Sequence, residues 1–181
     1  MFVALEGIDG SGKTTLARAL LDRGYSVTRE PFSEVTREIL SILREPLAKE
    51  LVFYLDRLYH LEKVIKPRRT KGIITDRYKY SQIAYAYARY GDSSLYRRVL
   101  KLNADLPDSD LVVFLDISPE EALKRKPGIA EDARPYGKPE EFFMKVREKY
   151  LSMADEHWIR INAERSRENI LKEVLNCLSK R

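Results

Sequence analysis

Two residue types that assemble reactive sites are scarce in this chain. Of its 181 residues one is cysteine, Cys177, which excludes an internal disulfide, and two are histidine, His60 and His157, too far apart for a ligand motif. All three are expected to play structural parts. Long apolar runs are missing too: the stretches at 1–5 and 111–115 fall far short of the ~20 residues a membrane span needs. Glu6 ends the first of them too early for a signal peptide, so the expected address is the cytoplasm. Neither a low-complexity tract nor an internal repeat is found.

What is present is a globular composition. Hydrophobic residues make up 44% of the chain and charged residues 34%, enough apolar surface to build a core and to exclude a disordered chain. The length suits one domain, residues 1–181, with later subdivisions expected only as insertions. A net charge of +5 and a pI near 9.2 point to an anionic partner, either nucleic acid or a phosphorylated small molecule. Most basic residues alternate with acids, as at Arg18, Asp22 and Arg23, in the manner of solvated helix faces. The one dense basic run, KPRRTK at 66–71, reads as a helix-to-strand turn, which argues against a nucleic-acid face.

Continuous apolar runs mark buried strands at 2–5, 72–75 and 111–115, with shorter candidates at 26–29 and 157–161. Helical periodicity fills the gaps: from Thr14 to the Gly24 stop, then at 35–43, 49–65, 80–90, 95–102, 119–125, 140–154 and 165–178. Strands alternating with helices predict a three-layer α/β fold around a parallel sheet. Pro127, Gly128, Pro135, Gly137 and Pro139 break the pattern at 126–139, predicting a loop that carries Lys126, Arg134 and Lys138 and could close as a lid.

Residues 7–14 read GIDGSGKT, a full G-x-x-x-x-G-K-[ST] match placed between an apolar strand and a helix start. Glycines at Gly7, Gly10 and Gly12 let backbone N–H groups of the loop, including those of Asp9, Ser11 and Thr15, face a phosphate chain. Lys13 reaches outward to the last phosphates and Thr14 offers a hydroxyl to Mg²⁺. The donor implied is a nucleoside triphosphate, ATP with Mg²⁺. Asp76 and Arg77 follow the 72–75 strand and so share that edge, where an acid can hold the metal and an arginine can neutralise phosphate charge. On the helix at 49–65, Phe53 and Arg57 lie four apart and share a face, a pairing suited to a planar base and its polar edge or to ordinary helix packing.

Taken together these stretches resemble thymidylate kinase, in the nucleoside monophosphate kinase group, along nearly the whole chain. The matching segments are EGIDGSGKTT at 6–15, TREP at 28–31, LVFYLDR at 51–57, DRYKYSQIAY at 76–85 and LDISPEEALKR at 115–125. The resemblance implies the three-layer α/β/α P-loop kinase fold, with a parallel five-stranded sheet, an acceptor-binding helical part at about 32–68 and a lid at about 126–139. It implies phosphoryl transfer from ATP to dTMP with Mg²⁺ held by Thr14 and Asp76, in a homodimer; another nucleotide or deoxynucleoside kinase is the alternative within enzymes, and a nucleic-acid-binding ATPase the alternative outside them. By the same resemblance Phe53 stacks on thymine, Arg57 reaches its polar edge, and Ser81 and Gln82 line the acceptor with Gln82 reading the base. Tyr85 crowds the sugar 2′ position, Asp9 meets the 3′-hydroxyl, Arg77 binds the acceptor phosphate and Arg125 lies against adenine. The chain departs from the family at Ala86, where many relatives carry glutamine, and at Phe32 and Ser33, where a double glycine is frequent. Its phosphate loop has Gly10 and Ser11 and no arginine, so the lid is expected to supply the catalytic cation: Arg134 first, Lys126 second. On the helix after Arg77, Tyr80 and Ile83 are expected to pack or to form a dimer contact, while Tyr78 is left open between packing and substrate.

Overall fold

The computed structural model describes residues 1–180. Five strands, β1 (Phe2–Glu6), β2 (Val27–Arg29), β3 (Ile73–Asp76), β4 (Leu111–Asp116) and β5 (Trp158–Asn162), form one parallel sheet in the order β2-β3-β1-β4-β5. Every residue of β1, β3 and β4 is buried. That is why they read as unbroken apolar runs: a strand covered on both faces has no solvent side on which to place polar residues. Alternation along β1 still sorts its side chains between layers. Phe2 and Ala4 pack with Leu61, Ile65, Tyr78 and Val112 on one face, whereas Val3 and Leu5 join Leu16, Leu20, Val113 and Leu115 on the other.

Helices cover both faces. They are α1 (Lys13–Leu21), α2 (Glu34–Ile42), α3 (Pro46–His60), the single turn α4 (Lys66–Arg68), α5 (Lys79–Tyr90), α6 (Ser94–Ala104), α7 (Pro119–Arg125), α8 (Ile129–Ala133), α9 (Pro139–Met153) and α10 (Arg167–Leu178). The predicted helix at 49–65 begins three residues earlier, because Pro46 occupies the first helical position, where a missing N–H costs nothing, and Glu45 caps the Ala48 N–H. It continues past His60 through a π-helical turn, Leu61–Ile65.

The segment at 126–139 is a correction to the sequence reading. It holds the short helix α8 and a 3₁₀ turn, Arg134–Tyr136, where a plain loop is predicted. Gly128 and Pro135 flank α8 without entering it, and Ile129 and Ala133, four apart, bury their side chains in the main core. Among the described residues no helix is long and apolar enough to cross a membrane. His60 is fully buried between Thr28 and Glu30, and His157 sits in an exposed turn beside Asp155 and Glu156. Tyr78 is fully buried, its hydroxyl donating to the Pro107 carbonyl, which assigns it to packing; Tyr80 packs edge-on to Trp158 and Ile83 joins the Ala86, Tyr96 and Val99 cluster.

Candidate active site

The first strand and its two neighbours end together, and the chain changes direction in the sheet at β1, which leaves a crevice beyond their C-terminal ends. The glycine loop between β1 and α1 forms the floor of that crevice. Gly10 has φ 82°, and a Cβ there would stand 2.6 Å from the Ala122 carbonyl oxygen, so neither the conformation nor the space admits a side chain. Lys13 is buried, its Nζ donating to the carbonyls of Gly7 (2.9 Å) and Ile8 (2.8 Å). Burial, then the neighbouring Arg77 guanidinium, pull the Lys13 ammonium down to about 8 against the opposing influence of Asp9, Asp76 and Glu6.

Thr14 donates its hydroxyl proton to Asp76 Oδ2 at 2.6 Å, and Asp76 Oδ1 is buried with no hydrogen-bond partner. A hydroxyl beside a buried, half-satisfied carboxylate at the foot of a phosphate loop is a hard, all-oxygen donor set, which fits Mg²⁺.

Arg77 sits at the mouth of the loop and is, among the described residues, the one non-glycine residue with positive φ, 75°. Such a backbone costs ~1–3 kcal/mol and persists where surrounding contacts over-determine it. Its guanidinium donates to Asp9 Oδ1 at 2.6 Å and to Ser81 Oγ at 2.9 Å. Burial works against the Asp9 charge, yet Arg77, then Lys13, hold its carboxyl far below the usual carboxylate range. Tyr85 completes the cluster: its hydroxyl donates to Asp9 Oδ2 at 2.7 Å and accepts from the Asp9 N–H at 2.9 Å, and the ring lies 5.3 Å from the Arg77 guanidinium carbon.

Two cavities meet at this cluster. One, about 760 Å³, runs over the loop and is lined by Lys13, Thr14, Thr15, Arg125 and Lys126; the other, about 370 Å³, lies between α3 and α5 and is lined by Phe53, Arg57, Ser81, Gln82, Tyr85 and Arg89. Asp9 and Arg77 line both. A further cleft of about 800 Å³, bordered by Met1, Tyr25 and Lys71, opens at the opposite end of the sheet and lacks a phosphate loop.

The smaller cavity is backed by a buried polar network. Arg57 donates through Nε to Glu30 (2.8 Å) and through Nη1 to Gln82 Oε1 (2.6 Å) and Asn103 Oδ1 (2.8 Å), leaving Nη2 without a protein partner. Gln82 spends its amide fully on protein: Nε2 donates to the carbonyl and the carboxylate of Glu50, both at 2.9 Å, and Oε1 accepts from Arg57 and Asn103. Gln82 thus braces Arg57 from a position that also lines the smaller cavity, where the sequence suggests a base reader. The Ser81 hydroxyl likewise points inward, donating to Glu6 and accepting from Arg77.

Arg125 lines the larger cavity while bonded to Glu121 and to the Ala163 carbonyl. Of the lid cations Lys126 lines that cavity; Arg134 is exposed in its 3₁₀ turn and is not among the lining residues, and Lys138 pairs with Glu141 outside it. Several residues escaped the sequence reading. Glu50 falls on the Phe53 and Arg57 face at helical spacing, Arg89 follows Tyr85 by one turn and Glu30 lies in the TREP segment, all signals available in advance; Arg37 and Asn103 come from other elements and gave none.

A family model for thymidylate kinase matches residues 5–174. A probable thymidylate kinase 1 of Saccharolobus solfataricus is 35% identical, over 98% of this chain and 96% of that one. A probable thymidylate kinase of Pyrococcus horikoshii is 37% identical over 85% of this chain and 82% of its own. A solved thymidylate kinase from Candida albicans shares the fold with a TM-score of 0.78 at 22% identity, covering 99% of this chain and 91% of that one. With a family model that matches residues 5–174 and a relative 35% identical over 98% of the chain, the chain belongs to the thymidylate kinase family.

Proposed function

We propose that this enzyme transfers the γ-phosphoryl group of ATP to dTMP, giving dTDP and ADP. The observation that carries the reading is the Asp9–Arg77 pair on the wall between two cavities, which lets phosphates entering from either side converge on one guanidinium. The larger cavity takes ATP: loop N–H groups cradle the phosphates, Lys13 turns from its two carbonyls toward the outer phosphates, and Arg125 borders the adenine. Thr14 and Asp76 would hold Mg²⁺, which would supply charge neutralisation when bound.

The smaller cavity takes dTMP. Phe53 offers a stacking face, Arg57 Nη2 donates to the polar edge of thymine, and Glu30, Gln82 and Asn103 fix the angle of that guanidinium. Asp9 accepts from the 3′-hydroxyl and the Tyr85 ring fills the space a 2′-hydroxyl needs. An acceptor that is already an anion requires no strong base; the barrier to overcome is repulsion between two polyanions, which Lys13, Arg77 and a lid cation counter. Lys126, already lining the donor cavity, is the first choice for that cation, and Arg134 the second.

Phosphorylation rates for dTMP, dUMP, UMP, dCMP, AMP and thymidine with ATP test the reading. dTMP is expected to lead; equal rates for dTMP and UMP would sink both the thymine assignment and the role of Tyr85.

The enzyme works as a cytoplasmic homodimer. Val35 and Ile42 on α2, and Leu51, Leu55 and Tyr59 at four-residue spacing on α3, form an exposed apolar band, Leu55 at 61% and Ile42 at 73% exposure. A second copy of the chain would cover it.

A further inference from the structure

Glu6, the last residue of β1, is fully buried and takes no part in the transfer just described. Its carboxylate accepts four hydrogen bonds: from the backbone N–H of Tyr78 (2.8 Å) and of Ser81 (3.3 Å), from the Ser81 hydroxyl (2.5 Å) and from the Tyr150 hydroxyl (2.9 Å). The two backbone N–H groups can only donate, and the two hydroxyls, 2.8 Å from each other, complete the ring around the carboxylate. Burial pushes the Glu6 carboxyl up, while the Ser81 hydroxyl, the Arg77 guanidinium and the other donors draw it back. Tyr78 is the residue before α5 and supplies no side-chain cap, so Glu6 caps that helix from another strand.

The two N–H groups that Glu6 holds flank the turn immediately after Arg77, the residue with the left-handed backbone. The hydroxyl it holds is the one that accepts from Arg77 Nη1. Glu6 thus restrains Arg77 twice, through the backbone on its C-terminal side and through the Ser81 hydroxyl. The Arg77 N–H, bonded to the Leu5 carbonyl, ties the other side of the same turn to β1.

We propose that Glu6 is a positioning residue for Arg77: by clamping the start of α5 and aiming the Ser81 hydroxyl, it sets the guanidinium at the wall between the two cavities. This rests on the reading of Arg77 as the ligand of the acceptor phosphate. Calorimetric binding of dTMP, thymidine and a non-hydrolysable ATP analogue tests it, on the parent protein, Glu6→Gln, Arg77→Ala and the double variant, with thermal melting alongside. Glutamine keeps the size of Glu6 but presents an N–H₂ to a ring of donors. The expected result is a ~10-fold weaker dTMP affinity in Glu6→Gln, thymidine and the ATP analogue changed by less than about twofold, and no further dTMP loss when Arg77→Ala is already present.

If the dTMP loss carries over in full to the Arg77→Ala background, or if all three ligands weaken alike, Glu6 is only a structural residue and the inference fails. An Arg77→Ala protein that binds dTMP as tightly as the parent instead removes the phosphate role of Arg77, and the inference with it. Should Glu6→Gln not fold, Ser81→Ala cuts only the hydroxyl link: a ~3-fold dTMP loss that vanishes in the Arg77→Ala background upholds the inference, and no loss overturns it.

Discussion

Replacing Tyr85 by phenylalanine separates two roles that one side chain combines. The hydroxyl makes two hydrogen bonds to Asp9, one to the carboxylate and one from the backbone N–H, while the ring forms cavity wall. A hydrogen bond to a charged group contributes ~1.5–3 kcal/mol when buried, and the Asp9 side chain is 32% exposed, so water recovers part of the loss and ~1–2 kcal/mol remains. At ~2–4 °C per kcal/mol for a chain of this size, the melting temperature should fall by ~2–8 °C. Asp9 keeps its 2.6 Å ion pair with Arg77 but loses an orienting contact, so kcat/KM for dTMP should fall ~10-fold. The preference for dTMP over its ribose counterpart should survive in Tyr85→Phe and collapse in Tyr85→Ala, because the ring and not the hydroxyl excludes the 2′ group. Steady-state kinetics on both sugars, to be run on both variants, decides the matter: a phenylalanine variant that accepts both sugars equally refutes the assignment of selectivity to the ring.

Lys13→Ala and Arg77→Ala should each lower kcat by ~10³-fold or more in a phosphoryl-transfer assay. Lys13 loses its proton above about 8 in the free protein and is expected to regain it beside triphosphate, so ATP binding at pH 9 should take up protons; calorimetry in two buffers of different ionisation enthalpy reads this, and no buffer dependence contradicts it. Lys126→Ala should depress kcat further than Arg134→Ala, and the reverse order returns the lid role to the 3₁₀ turn. Leu55→Lys should shift sedimentation from dimer to monomer, and an unchanged sedimentation coefficient removes the apolar band as the interface.

What the sequence disclosed follows the range of the interactions involved. The phosphate loop is contiguous, and its mechanism needs only a strand before it and a helix after it, so residues 7–14 stated their own geometry. Asp76 and Arg77 were legible because strand ends define an edge. The strands of the sheet appeared as apolar runs for the same reason that burial on two faces removes alternation. The Arg57 network was hidden because its members lie 25 to 46 residues away along the chain, just after β2 and on α5 and α6, and only packing brings them together. Gln82 is one of them: its position alone reads as a base contact, and only packing reveals that its amide also bonds the fully buried Glu50 and the Arg57 guanidinium. The helix at Ile129–Ala133 was masked by the glycines and prolines on either side, although its two core residues keep helical spacing.

The wall formed by Asp9 and Arg77 also bears on how such an enzyme changes over evolutionary time. In the proposed transfer, residues that line both cavities face two ligands at once and cannot be adapted to one without disturbing the other, so drift at either position would be penalised twice. New acceptor preferences must therefore arise behind the wall, among Glu50, Phe53, Gln82 and Asn103, whose substitution alters the fit of a base while leaving the meeting point of the phosphates untouched.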